Sequence, residues 1–198
     1  ATKQELQRYE GHEGAVTSVA IAPDNKTLVS AGADKSVRVW SISAARVIVG
    51  HEGGTNAVAY VTNGAVFVTA GADNLVKLWD QNYNMVRQFE GSTDALTTLA
   101  VRADGAQLAA SGADKKIYIW NVGNAELLQT IESPDVINDL AFSIDNQKLV
   151  VACADKHFRV YSAVDATVLQ DVVEDVAVDA IAFAPDNRGI LTGGSNKE

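Results

Sequence analysis

The chain is poor in the residues that carry most metal and redox chemistry. Its 198 residues include one cysteine, Cys153, and three histidines, His12, His51 and His157. A single thiol allows neither an intramolecular disulfide nor a zinc site of cysteine type. It lies in the small-residue run VVACAD, where a buried structural thiol is expected rather than a nucleophile. No two histidines stand at metal-ligand spacing, so no metal and no cofactor is expected. Basic residues are scarce too: 16 Lys and Arg against 25 Asp and Glu leave a net charge of −9, and they form no cluster. Nucleic-acid phosphate and anionic membrane surfaces reward a basic face, which argues against both as partners. No apolar run approaches the roughly 20 residues that span a bilayer. The opening ATKQELQRYEGHEG is polar and carries no signal-peptide core. The chain as given reads as soluble, and nothing in it names a compartment.

A helical period is also missing. What the chain has is alternation, and a repeat. Four segments align, SAGADKSVRVW, TAGADNLVKLW, ASGADKKIYIW and VACADKHFRVY, with TGGSNKE as a shortened fifth. Their acidic positions, Asp34, Asp73, Asp114 and Asp155, are spaced by 39, 41 and 41 residues, and Asn196 takes the fifth place. The closing aromatics, Trp40, Trp79, Trp120 and Tyr161, keep the same spacing. Upstream of each runs a second motif: VTSVAIAPDN, TNAVAYVTNG, LTTLAVRADG, INDLAFSIDN and VDAIAFAPDN. Each unit reads as four short strands, a to d. In the first unit VTSVAIA is strand a, PDN a turn, KTLVSAG strand b, ADK a tight turn, SVRVW strand c and ARVIVG strand d. Several strands per repeat of this length, in phase, predict an all-β propeller.

The period, the dipeptides Gly11-His12 and Gly50-His51, the turn aspartates and the closing tryptophans resemble WD40 repeats over essentially the whole chain. Only Trp79-Asp80 is a literal WD. The resemblance implies four complete blades over about residues 12–50, 51–90, 91–132 and 133–174, and a partial fifth over 175–198. These form one domain, 1–198, in which residues 1–11 are the outer strand of a preceding or closing blade. It further implies a fastening of His, Ser or Thr, Asp and Trp: His12, Ser30, Asp34 and Trp40 in the first blade, His51, Thr69, Asp73 and Trp79 in the second. A buried carboxylate tolerates such a place only with charge-assisted hydrogen bonds. A Ser–His–Asp catalytic triad uses the same residue types. A set copied in phase with the fold repeat is structural, however, so no enzyme is expected. The third blade has Ser92 and Ala110 at the His and hydroxyl positions, and the fourth lacks both, with Val151 on strand b. There Asp114, Trp120 and Asp155 remain, the aspartates capping their turns, and the first two blades are expected to be the more rigid. His157 reads as an exposed surface histidine.

Two rows map to the loop face on which this family usually binds partners. Thr17, Asn56, Thr97, Asn138 and Asp179 recur just inside strand a, either as solvated strand ends or as a hydrogen-bonding ring at the channel mouth. Glu10, Glu90, Glu132 and Glu174, with Asp94, Asp135 and Asp175, form an acidic row that would attract a basic peptide, or else reflects an ordinary share of acids. No aromatic cage and no Arg cluster accompanies them. The functional expectation is a non-catalytic protein or peptide interaction scaffold within a larger propeller or assembly. The alternatives are an accessory or sensor domain of a multidomain enzyme or signalling protein, or a ligand-binding or enzymatic propeller, which would require convergent acid/base or metal residues off the structural repeat. The incomplete ring, a fragment or a self-associating one, would expose edges that invite a second copy.

Overall fold

The computed structural model describes residues 9–23, 26–41, 45–61, 64 and 66–194, and only the backbone at 45–47. Among these it contains eighteen strands and no helix. The strands group in chain order into antiparallel sheets. The first holds β1 (Val16–Ile21), β2 (Thr27–Gly32), β3 (Ser36–Ser41) and β4 (Ala45–Val49). The second holds β5 (Thr55–Tyr60), β6 (Phe67–Gly71), β7 (Val76–Trp79) and β8 (Met85–Phe89). The third holds β9 (Leu96–Val101), β10 (Gln107–Gly112), β11 (Lys116–Asn121) and β12 (Leu127–Glu132). The fourth holds β13 (Ile137–Phe142), β14 (Lys148–Cys153), β15 (His157–Ser162) and β16 (Val168–Val173). The fifth has two strands, β17 (Val178–Phe183) and β18 (Ile190–Gly194). This is the predicted all-β propeller architecture, open rather than closed. Most of the expected outer strand at 1–11 lies outside the described residues, as do 195–198; residues 9–11 are irregular, with the Tyr9 ring 5.2 Å from that of Trp40.

The core sits between sheets, not within one. In the first four sheets strand b is buried on both faces: in β10, for example, all of Leu108–Gly112 is buried. Phe67, Leu108 and Leu149 face the sheet before, while Val29, Val68, Ala109 and Val150 face the sheet after. Between the first two sheets Val29, Ala31, Val37 and Val39 meet Val58, Phe67 and Trp79. Between the second and third, Val68, Ala70, Val76 and Leu78 meet Leu96, Leu108, Tyr118 and Trp120. Small aliphatic residues thus dominate each trailing face and large or aromatic ones each leading face.

The same register shows where this stacking stops. Val58, Leu140 and Ile181 are 7%, 3% and 5% exposed, yet their first-sheet counterpart Val19 is 60% exposed. Leu191 is 67% exposed, although Val29, Val68, Ala109 and Val150 at the same place are fully buried. The leading face of the first sheet and the trailing face of the fifth are therefore uncovered among the described residues.

All five sheets share an irregularity in the a–b pairing. The ladder passes from Val16 to Ser18, Thr55 to Ala57, Leu96 to Thr98, Ile137 to Asp139 and Val178 to Ala180. The residue skipped each time is Thr17, Asn56, Thr97, Asn138 or Asp179. A bulge re-aims the side chain of its extra residue, and that explains why one polar position recurs in an otherwise apolar strand.

Candidate functional site

The turn between strands b and c places each aspartate at one end of the stack. Lys35, Asn74, Lys115 and Lys156 follow it with φ of 68°, 64°, 61° and 70°. The left-handed residue lets the aspartate bond the backbone two residues on: the N–H of Ser36 reaches Asp34 at 3.2 Å, Leu75 reaches Asp73 at 3.3 Å, Lys116 reaches Asp114 at 3.2 Å and His157 reaches Asp155 at 3.1 Å. These are Asx turns. The aspartates also hold the loop arriving from strand d, through the N–H groups of Glu13 (3.0 Å), Glu52 (3.4 Å) and Thr93 (3.4 Å).

In the second sheet His51 Nδ1 lies 2.6 Å from Asp73 Oδ1 and its Nε2 lies 2.7 Å from the Thr69 hydroxyl, to which Trp79 Nε1–H donates at 2.9 Å. One assignment satisfies every group: neutral His51 donates from Nδ1 to ionised Asp73, and Nε2 accepts from Thr69. Burial pushes His51 below the usual histidine range and outweighs the pull of Asp73 in the other direction. Burial alone would raise Asp73, but the Lys77 and His51 bonds hold it below the carboxylate range. The first sheet repeats the set, with His12 Nδ1 2.9 Å from Asp34, Nε2 2.8 Å from Ser30, and Trp40 donating to Ser30 at 2.8 Å. There the Ser36 and His12 hydrogen bonds overcome desolvation and keep Asp34 well below its ordinary value. Room for the imidazole comes from Gly32 and Gly71, where a Cβ would collide with His12 or His51.

Although the Ser30–His12–Asp34 geometry matches a nucleophile triad in distance, its hydroxyl is already engaged by an indole N–H. Ser30 is 3% exposed, and in the twin set Thr69 is fully buried. A groove of about 600 Å³, lined by Tyr9, His12, Val16, Val19, Leu28 and Trp40, borders the first set on the uncovered leading face.

The third and fourth sheets fasten their aspartates differently. Tyr118 donates its hydroxyl to Asp114 at 2.6 Å and Thr93 adds a second bond at 2.9 Å, which together hold Asp114 low against the raising effect of burial. Arg159 reaches Asp155 at 2.8 Å and Asp171 at 3.3 Å. Lys77 does the same for Asp73 at 2.9 Å. In the second, third and fourth sheets the residue four after the aspartate is therefore part of the fastening, which the sequence reading missed. Its signal was present: the third residue of every strand c, in SVRVW, LVKLW, KIYIW and HFRVY, is polar or carries a hydroxyl between apolar neighbours. Trp120, without a hydroxyl at Ala110, donates instead to the Glu90 carbonyl at 2.8 Å. In the fourth sheet Cys153 stands where the first three have glycine and fills the imidazole's space, its Sγ 3.6 Å from Ser133. The thiol is buried, and burial raises its pKa. His157 departs from expectation: it is half-buried and its Nδ1 lies 2.6 Å from Asp171, which strand d places opposite Arg159 and so diagonal to His157.

The bulge residues staple one sheet to the next. Thr17 donates to the Thr55 carbonyl at 2.6 Å, Asn56 to Leu96 at 2.8 Å and Asn138 to Val178 at 2.9 Å. Thr97 turns to the Ser111 carbonyl of its own sheet at 3.4 Å, and Asp179 is exposed. Of the acidic row, Glu10, Glu90, Asp94, Glu132 and Asp175 are exposed, and Glu174 and Asp135 are half-buried. Lys115 pairs with Asp135 at 2.7 Å, while Glu90 accepts from Gln88 at 2.6 Å. Glu13 and Glu52, on the loops held by Asp34 and Asp73, are exposed at the same end. No group of three or more metal-ligating side chains occurs among the described residues, and no helix there is long and apolar enough to cross a membrane.

Comparison with known families matches the chain to the WD domain, G-beta repeat, over residues 3–41, 43–80, 83–121 and 125–162. Among curated proteins it is similar to the periodic tryptophan protein 2 homolog of Neurospora crassa, 51% identical over 41 residues, which is 21% of this chain and 5% of that protein. It is also similar to transcription initiation factor TFIID subunit 5 of Caenorhabditis elegans, 46% identical over 39 residues, 20% of this chain and 6% of the relative. Pre-mRNA-processing factor 19 of Caenorhabditis elegans is 39% identical over 49 residues, 24% of this chain and 10% of the relative. Each match spans about one repeat and a small part of the relative's length.

Proposed function

The chain belongs to the WD40-repeat family, and from that premise we propose that it is a non-catalytic interaction scaffold whose loop end binds a basic protein segment. The observation that carries this reading is the loop end itself. There the turn aspartates tie the incoming loops to the b–c turns, leaving Glu13, Glu52, Glu90, Asp94, Glu132 and Asp175 exposed on a rigid support. Loops held by a scaffold are where binding residues concentrate, and a surface of one sign attracts its complement and speeds encounter. The relatives support an interaction role in general, since one is named as a subunit of a transcription initiation factor and another as a pre-mRNA-processing factor. The histidine–aspartate sets serve the fold, because their hydroxyls are engaged by tryptophan.

The test is fluorescence anisotropy of a labelled Lys/Arg-rich peptide and its Glu-substituted counterpart, at low and physiological salt. The expected result is binding of the basic peptide alone, weakening with salt and lost in the Glu13→Lys/Glu52→Lys/Glu90→Lys variant. Equal binding of both peptides, or binding indifferent to salt and to the charge reversal, overturns the reading.

A further inference from the structure

We propose that the outer rim of the second, third and fourth sheets, at the start of their strands d, is a docking surface for an amphipathic helix bordered by lysine or arginine. Each of these strands breaks its pairing with strand c at the same place. The ladder passes from Met85 to Arg87, from Leu127 to Gln129 and from Val168 to Gln170. The residues skipped are Val86, Leu128 and Leu169, and a bulge re-aims the side chain of its extra residue. At the a–b bulges that residue is polar. Here it is apolar in all three sheets and turned to solvent: Val86, Leu128 and Leu169 are 54%, 39% and 50% exposed. Met85, Leu127 and Val168 beside them are exposed as well. The fold does not ask for this. The first sheet pairs β3 with β4 residue by residue at the same point, Val39 opposite Arg46 and Trp40 opposite Ala45. The core draws on other residues of these strands, Phe89 and Ile131.

The apolar pairs are held in one array. Arg87, next after the first bulge, donates to the Val122 carbonyl in the c–d turn of the third sheet at 2.6 Å. Gln129 likewise donates to the Val164 carbonyl in the c–d turn of the fourth at 2.9 Å. Leu127 also lies against Gly91 at the exit of β8, where an added Cβ would come within 3.1 Å of it, so the row crosses the seam between sheets. A surface already fixed in this way leaves little ordering for binding to cost. Two features choose the occupant. A bulge twists an edge strand and interrupts its row of main-chain groups, which disfavours addition of a partner strand. What the rim offers is side chains, and the apolar stripe that lies across such a row is the face of an amphipathic helix. The surrounding charge is of one sign: residues 80–90, 121–132 and 162–174 contain seven acids and one base, Arg87, which is already engaged. Asp80, Glu126 and Asp165 stand at the head of the three strands, the last two exposed. That border complements Lys or Arg and repels a second copy of this chain or an anionic lipid surface. The site lies at the end of strand d away from the turn aspartates, so it is separate from the loop end and does not depend on it.

The experiment titrates the intact chain with a fluorescein-labelled, capped helical peptide made of Leu and Lys, its leucines on one face. The controls are the same residues shuffled and the same helix with Glu for Lys. The expected result is saturable anisotropy for the first peptide alone, roughly tenfold weaker with the Val86→Thr/Leu128→Thr/Leu169→Thr variant. Threonine suits an exposed strand position, and a thermal melt checks that this variant is folded. Val86→Leu, which enlarges the row and removes nothing, should tighten binding by roughly twofold to fourfold. Glu126→Lys/Asp165→Lys should weaken it by roughly threefold to tenfold and flatten its salt dependence. Glu13→Lys/Glu52→Lys, at the loop end, should leave it intact, which separates a failure here from a failure of the loop-end reading. No saturation at millimolar peptide overturns the proposal, as does equal binding of the shuffled peptide, or affinity unchanged by the Thr variant, by Val86→Leu or by charge reversal at the rim. Light scattering and flotation with phosphatidylcholine vesicles cover the other occupants. A dimer or vesicle binding that the Thr variant abolishes means that a second copy or a bilayer covers the rim, and either overturns it.

Discussion

Thr69 serves two groups with one hydroxyl, and Thr69→Val removes that hydroxyl at nearly constant shape. The indole of Trp79 loses its acceptor at 2.9 Å and His51 Nε2 loses its donor at 2.7 Å. Water cannot replace either, since Thr69 is fully buried and His51 is 1% exposed. A buried polar group left without a partner costs about 1–3 kcal/mol, so the two together should cost about 2–6 kcal/mol. Asp73 keeps Lys77, so no charge is orphaned and the loss should not exceed that range. Urea unfolding followed by circular dichroism gives the difference directly. A double-mutant cycle with Trp79→Phe, which deletes the donor, should show coupling of about 1 kcal/mol or more. A loss under about 0.5 kcal/mol, or no coupling, would refute the idea that this hydroxyl links tryptophan to histidine. The third sheet shows how such a loss is tolerated: at Ala110 no hydroxyl exists, and Trp120 has moved its bond to the Glu90 carbonyl.

Other expectations follow from the same geometry. His51 is held below its ordinary value, so the unfolded chain takes up the proton first and stability should fall as pH drops below about 6.5. Asp34, Asp73 and Asp114 are also held low, so a second loss should come below the ordinary carboxylate range, near pH 4. Urea midpoints from pH 8 to 3 measure both, and a His51→Gln variant that keeps the upper limb would contradict the assignment. Tyr118→Phe should cost about 1–2 kcal/mol in urea unfolding and raise the Asp114 pKa in carboxylate NMR titration; an unchanged titration would show that the 2.6 Å bond is not formed. Val58→Lys should cost about 3 kcal/mol or more, and Val19→Lys less than about 0.5 kcal/mol, in thermal melts. Comparable losses would mean the first leading face is covered in solution.

The strands, their order and the phase of the repeat were all legible in the sequence because they rest on local patterning. The alternation of strand a, the turn at each aspartate and the closing aromatic each declare themselves within about ten residues. Long-range pairing was harder to read. The row at Thr17, Asn56 and Asn138 was visible, but its purpose depends on a bulge and on the backbone of the following sheet, 38 to 40 residues away. The weaker fastening expected of the third and fourth sheets came from comparing positions singly. Tyr118 and Arg159 stand where Lys77 does and rescue the aspartates, a compensation seen only when strand c is read together with the turn before it.

The contrast between the small trailing face and the large leading face has a consequence for how such a chain can lengthen. Because each unit carries both halves of the fit, the back of one copy already suits the front of another, as Val29 and Val37 suit Phe67 and Trp79. A tandem duplication of one whole unit therefore inserts a new layer without asking any neighbour to change. Growth by duplication starts from a folded product, and only afterwards do substitutions such as Cys153 for glycine or Tyr161 for tryptophan make the layers distinct.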